Sequence, residues 1–404
     1  MTQLNAENSD MKESKLPRRD WILLPLISIF TIFLLAAATD LVSRTTFTPS
    51  KTGPSDCMRS YPGKGVQAIP NSVCWNKGSE GELTEYRFNN CGQRADFECK
   101  PKAANTYRIV MIGSSFAMGD RVANSDSLAA LLPAELSQQT GRKVELYNQG
   151  MLWGLPHSFW LRFDDVLAAQ PDMILWPTGP WDIQNATVVL PYSKSSFDKK
   201  DAHQLSSMSF TGRIRFSIGY FVRNIVPPSV TADIAQIRLM LQHYLYESQS
   251  LYIDSYLLNA SDAGFLAIEP DAEWKTHLAD FETYSARMEE RAAAAHVPFV
   301  VVLVPNRAQA AMISMGEWPA GYDPYQLGNE LRAIVTTHGG VYIDILPGFR
   351  DLPNPEQYYF PVDGHPDARG HAIIAGLIDK ALITGAAPEL SVANQPQAVP
   401  ARDK

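Results

Sequence analysis

Four short blocks of the chain carry residue types that do chemistry. They are Gly113-Ser114-Ser115-Phe116-Ala117-Met118-Gly119, Asn148-Gln149-Gly150, Pro177-Thr178-Gly179-Pro180-Trp181-Asp182 and Asp363-Gly364-His365-Pro366. Together they hold hydroxyls, an imidazole and carboxylates, the groups on which nucleophilic and acid–base chemistry draws. Each block alone has a plainer reading. A serine after a glycine is commonly a turn residue, Asn148 and Gly150 make a turn, and Asp363-Gly364-His365 is a loop ahead of an N-capping Asp367. Their shared address lifts them above that reading. Each follows a strand-like run, and in an open parallel sheet ligands bind beyond the carboxyl ends of the strands.

The elements that must position these blocks are legible from periodicity. Near-continuous apolar runs occur at Tyr107–Ile112, Val144–Tyr147, Met173–Trp176, Phe299–Val304 and Val341–Ile345, as parallel strands covered on both faces require. Helical patterns over about 126–139, 157–169, 274–295, 324–338 and 367–384 separate them. Pro133 falls inside the first, which puts that helix's geometry in question. This alternation predicts a three-layer α/β/α domain with a five-stranded parallel sheet. The stretch 183–289 is too long for a simple crossover and reads as a helical insertion, a lid or a membrane-proximal platform.

In this order the four blocks resemble the SGNH/GDSL hydrolase superfamily of esterases and acyl transferases, over about 105–182 and 290–386. Ile112-Gly113-Ser114-Ser115-Phe116 stands where that family has G-D-S-F, with Ser114 replacing the Asp. The resemblance implies a flavodoxin-like fold, Ser115 as nucleophile, His365 as base and Asp363 as its partner. It also implies an oxyanion hole made by the Ser115 and Gly150 amides. Two departures stand out. Asp363 precedes His365 by two residues rather than three, a spacing some exopolysaccharide O-acetylating relatives share. Trp181 occupies the position of the oxyanion-hole Asn, where an indole offers one N–H and no amide; Gln184 or Asn185 is the candidate replacement. Trp181, Asp182 and Asn148 are expected near the substrate cleft. His371 reads as structural, Asp344 as a loop-fixing carboxylate, and His157 as a surface or cleft residue.

The ends of the chain bear on its location. Trp21 to Ala38 runs without a charge, about 27 Å as helix and close to the hydrocarbon thickness of a bilayer. Lys12, Lys15, Arg18 and Arg19 precede it, so the positive-inside rule puts 1–20 in the cytoplasm. Residues 21–38 are then a single-pass anchor in the inner membrane and the rest is periplasmic; a cleaved signal peptide is the rival. All four cysteines, Cys57, Cys74, Cys91 and Cys99, lie in a loop-rich segment 39–104. An even count on the outer side reads as two disulfides. Three pairings are open, with Cys57–Cys74 and Cys91–Cys99 the first choice. The tail 387–404 reads as disordered.

Composition narrows the partners. Of 404 residues, 35 are Lys or Arg and 43 are Asp or Glu, giving a net charge of −8, which argues against a nucleic-acid ligand. No nucleotide-binding or metal-ligating motif is visible, so no cofactor and no metal are expected. The expectation is a membrane-anchored serine ester hydrolase acting on O-acyl, chiefly O-acetyl, groups of an envelope or extracellular glycan. It would work beside polysaccharide-modification partners. A glycan O-acetyltransferase of the same fold and a non-catalytic glycan-binding subunit are the alternatives.

Overall fold

The computed structural model describes residues 17, 19–61, 64–187, 228–258 and 260–390. The expectations for the cytoplasmic leader, for most of the tail and for the aromatic run at 217–229 of the insertion therefore lie largely outside the described residues.

The apolar runs form the strands β5 (Thr106–Met111), β6 (Lys143–Asn148), β7 (Met173–Thr178), β8 (Phe299–Leu303) and β9 (Val341–Ile343). They pair in parallel in the order β6-β5-β7-β8-β9, the flavodoxin-like arrangement. β5, β7 and β8 are buried along their whole length. Because β5 lies between β6 and β7, the loops leaving these three strands, which carry the first three blocks, are neighbours.

Helices cover the sheet with apolar stripes at helical spacing. Leu327, Leu331 and Val335 face the core from Gln326–Thr337, and Ile374, Ala375 and Ile378 do so from Ala368–Ala381. Ala368–Ala381 packs on Leu128–Thr140, while Ala272–Ala294 packs on Pro156–Leu161 and Pro180–Gln184. Trp176 of β7, 1% exposed, stacks on Phe281 of Ala272–Ala294 with ring centres 5.0 Å apart. Pro133 sits inside Leu128–Thr140 without ending it, and the Ser137 hydroxyl donates to the Pro133 carbonyl at 2.6 Å.

Ahead of the sheet stands the helix Asp20–Thr46, which extends beyond the apolar run of 21–38 and is long and apolar enough to cross a membrane. A small module follows, with hairpins of β1 (Met58–Tyr61) with β2 (Gly65–Ala68) and β3 (Val73–Asn76) with β4 (Thr84–Arg87). Disulfides join Cys57 to Cys74 and Cys91 to Cys99. The insertion contributes a helix, Pro228–Leu245, that packs against the apolar helix, near its C-terminal end. Arg44 pairs with Asp233 at 2.8 Å, and the Phe47 ring lies 5.1 Å from that of His243.

Candidate active site

The position of Ser115 is set by a turn that only glycine permits. After β5, Gly113 has φ +144°, and a Cβ there would come within 2.7 Å of the Pro177 carbonyl and the Ala117 side chain. The chain then enters a one-turn helix, Ser115–Met118, with Ser115 as its first residue. Asn148 pins this turn to the end of β6, its Nδ2 donating to the Ala117 carbonyl at 3.0 Å.

Ser115 Oγ lies 2.7 Å from His365 Nε2, and His365 Nδ1 lies 2.6 Å from Asp363 Oδ1. Residues 250 positions apart thus form a continuous relay. The short Asp-to-His spacing is accommodated by Gly364, whose φ of +80° folds the chain back within one residue. Phe116 stacks on the imidazole at 5.0 Å. Burial opposes charge on His365, but the hydrogen bond and charge of Asp363 outweigh it and raise the ring above its ordinary value. Burial likewise opposes charge on Asp363, and His365 with Arg121 holds it below the usual carboxylate range.

The pattern of blocks gave no hint of the groups behind this relay. Arg121 pairs with Asp363 Oδ2 at 2.8 Å and holds a left-handed φ of +65°, a strained backbone of the kind found at functional sites. Its N–H donates to the Tyr86 hydroxyl at 2.7 Å, and that hydroxyl donates to Asp120 at 2.5 Å. Arg94, 1% exposed, donates to the carbonyls of Met118, Gly119 and Val122, closing the far end of the nucleophile turn. Glu80 accepts from the Val362 and Asp363 N–H groups at 3.0 and 2.8 Å. Tyr86, Arg94 and Glu80 all belong to 39–104. That segment is more than a linker, because its buried polar side chains complete the hydrogen bonding of the loops that carry Ser115 and Asp363.

The cleft expectations need correction. Asn148 and Asp182 are each 1% exposed and lie beneath the site rather than in a cleft. Asp182 accepts from Gly179 N–H at 3.0 Å and from the Thr178 hydroxyl at 3.3 Å, fixing the third block's loop. Burial pushes its carboxyl up to about 7, against the hydrogen bonds from Gly179 and Thr178. A carboxylate at 114, as the SGNH pattern has, would set two buried acids against each other here; serine does not. The expected oxyanion donor Gly150 is engaged too, its N–H donating to Asn148 Oδ1 at 2.9 Å. The Asn185 amide donates to the Trp181 carbonyl at 2.8 Å.

Trp181 itself is 40% exposed. Trp153, 43% exposed, stands after β6 with φ +53°. Its neighbours hold it close to the nucleophile turn: Met151 N–H donates to the Gly113 carbonyl at 3.0 Å, and a Cβ on Gly154 would fall 2.7 Å from that carbonyl. On the other flank, a Cβ on Gly179 would lie 3.1 Å from the Phe116 ring. Ser115 thus exits between loops that each carry an exposed tryptophan.

The remaining assignments are plain. His371 is buried, accepts from Leu128 N–H at 3.2 Å and is pushed by burial down to about 3, so it stays neutral and structural. Asp344 holds its own loop through Leu346 N–H and Arg332. His157 packs 5.1 Å from the Tyr284 ring.

No family model and no curated protein matches the chain. Solved structures similar to it include an α/β hydrolase from the metagenome of Lake Arreo, Spain, at 15% identity, covering 68% of this chain and 94% of that one, with a TM-score of 0.37. A variant of an acetyl-xylooligosaccharide esterase from Geobacillus is similar at 12% identity, covering 70% and 96%, with a TM-score of 0.36. A member of the lipolytic G-D-S-L family from Veillonella parvula is similar at 12% identity, covering 68% and 97%, with a TM-score of 0.33. Likeness at this level carries nothing about chemistry, which rests on the geometry above.

Proposed function

We propose that the chain is a serine ester hydrolase of the SGNH type that removes O-acyl, chiefly O-acetyl, groups from an envelope or extracellular glycan. The observation that carries this reading is the relay from Ser115 Oγ through His365 to Asp363, with contacts of 2.7 and 2.6 Å. Ser115 Oγ forms a bond to the acyl carbon as its proton passes to His365 Nε2. The tetrahedral oxyanion is met by the Ser115 N–H, joined by the Gly150 N–H once that donor is shared with Asn148. Collapse breaks the ester C–O bond, His365 returns its proton to the leaving sugar oxygen, and an acyl-serine remains. Water then gives a proton to His365 and adds to the acyl carbon; the acyl C–Oγ bond breaks as His365 passes that proton to Ser115 Oγ, releasing the carboxylic acid and free Ser115. In a transferase a second sugar hydroxyl would take the place of that water.

The glycan reading is supported by the exposed Trp153 and Trp181 on either side of Ser115, since aromatic faces pack against the apolar faces of sugar rings. The Asp20–Thr46 helix, the basic residues before it and the two disulfides support anchoring in the inner membrane with the enzyme on the periplasmic side. The direct test compares acetate release from an acetylated oligosaccharide by wild type and Ser115→Ala. A loss on the order of 10⁴-fold or more is expected. Equal rates, or no turnover of any ester by wild type, would leave the glycan-binding alternative. Acetyl appearing on an added oligosaccharide in preference to free acetate would assign the transferase.

A further inference from the structure

We propose that Glu80 is a positioning residue for the catalytic loop, holding Asp363 through the backbone, and that His243 of the insertion helix docks on the same carboxylate. The inference rests on the serine-esterase reading and deepens it. The Glu80 side chain is 1% exposed. Its Oε2 accepts from Val362 N–H at 3.0 Å and Asp363 N–H at 2.8 Å, and its Oε1 lies 2.6 Å from His243 Nδ1. The catalytic loop closes on itself elsewhere: Phe360 N–H donates to the His365 carbonyl and Gly364 N–H to the Phe360 carbonyl, each at 2.9 Å. The two N–H groups between these bonds both point to Glu80. Asp363 is therefore fixed from both ends, by Glu80 at its backbone and by Arg121 at its carboxylate.

The glycines around Glu80 are a second, independent observation. A Cβ on Gly78 would fall 2.6 Å from Arg121 Nη1, and one on Gly81 would fall 3.0 Å from the Phe360 ring. Both glycines let this segment press against groups that touch or carry Asp363. Beyond Glu80 the contacts continue outward. His243 meets Phe47, and Asp233 of the same helix meets Arg44 at the end of the apolar helix. The placement of the insertion helix is thus tied, through one carboxylate, to the backbone that carries the triad acid.

The test uses the full chain in detergent, with two readouts. The first is the rate of Ser115 labelling by a fluorophosphonate, and the second is hydrogen exchange over 359–366. Glu80→Leu keeps the volume and removes the acceptors. It is expected to slow labelling by about 10²-fold, the scale of an ångström-sized misplacement, and to speed exchange in that segment while the sheet strands exchange as before. Glu80→Gln keeps one oxygen able to accept both N–H groups and an amide that can meet His243. It is expected to label within about 5-fold of wild type, a rescue that a requirement for charge would not give. His243→Ala is expected to raise exchange over 233–245 and, more weakly, over 359–366.

Wild-type labelling and exchange in Glu80→Leu would overturn the proposal. So would a loss in Glu80→Gln equal to that in Glu80→Leu, or faster exchange throughout the sheet in Glu80→Leu with no change at 359–366 in His243→Ala. If the wild type is not labelled at all, the esterase reading fails instead, and the exchange data still decide the Glu80 contact.

Discussion

At the residue scale, the Asp363–His365 pair sets how the site should respond to pH. His365 must be neutral to accept the Ser115 proton, and its pKa is raised by Asp363. The rate therefore falls as pH drops, with the acid limb of kcat/KM displaced upward from the ordinary histidine value. Arg121 works against that shift, so Arg121→Gln is expected to move the acid limb to still higher pH; an unmoved or lowered limb would contradict the pairing. Asp363→Asn should cost about 10⁴-fold in kcat by spoiling the tautomer of His365. Asp182 behaves in the opposite sense to a paired carboxylate. Its folded pKa of about 7 lies above the unfolded value, so its contribution to stability is full at acid pH and is lost as pH rises toward and through 7. Asp182→Asn removes that loss, so its Tm relative to wild type should be higher at pH 8 than at pH 5. Ser115, Asp363 and His365 were legible because block order at strand exits is a joint pattern. Arg121, Tyr86, Glu80 and His243 were not. Each is a lone polar residue in a stretch without periodicity, and Glu80 meets its partner 283 positions away.

At the element scale, burial explains what could be read and what could not. The strands were visible because sheet positions covered on both faces must be apolar almost without interruption, as in β5 and β7. Their ends shifted by a few residues, since hydrogen bonding carries β6 to Asn148 and β7 to Thr178, past the apolar cores of those runs. The cysteines announced a stapled module, but nothing local told that Arg94 and Glu80 reach from it into the catalytic loops. The Cys57–Cys74 bridge, with a sequence separation of 17, restrains this module. Replacing both cysteines by serine should cost about 3 kcal/mol of stability on the loop-entropy estimate, measured by chemical denaturation. Labelling of Ser115 should slow in the same variant. An unchanged labelling rate in a destabilised variant would show that the module does not support the site.

At the scale of the whole molecule, the apolar helix, the stapled module, the insertion helix and the sheet are joined by specific polar contacts, with Glu80 where three of them meet. A chain beginning at Phe47 should leave the membrane fraction and keep most of its kcat. A chain beginning at Ala104 lacks Tyr86, Arg94 and Glu80 and should lose activity, even on a small aryl ester that needs no glycan contact. Equal activity of the two would contradict the role given to 39–104. Whether Ser115 is an activated nucleophile is decided by intact-mass and peptide mapping after fluorophosphonate treatment. A single adduct is expected on the peptide carrying Ser115, absent from Ser115→Ala and strongly reduced in His365→Ala. No adduct on the wild type where a control serine esterase reacts fully, or an adduct on another residue, would contradict it.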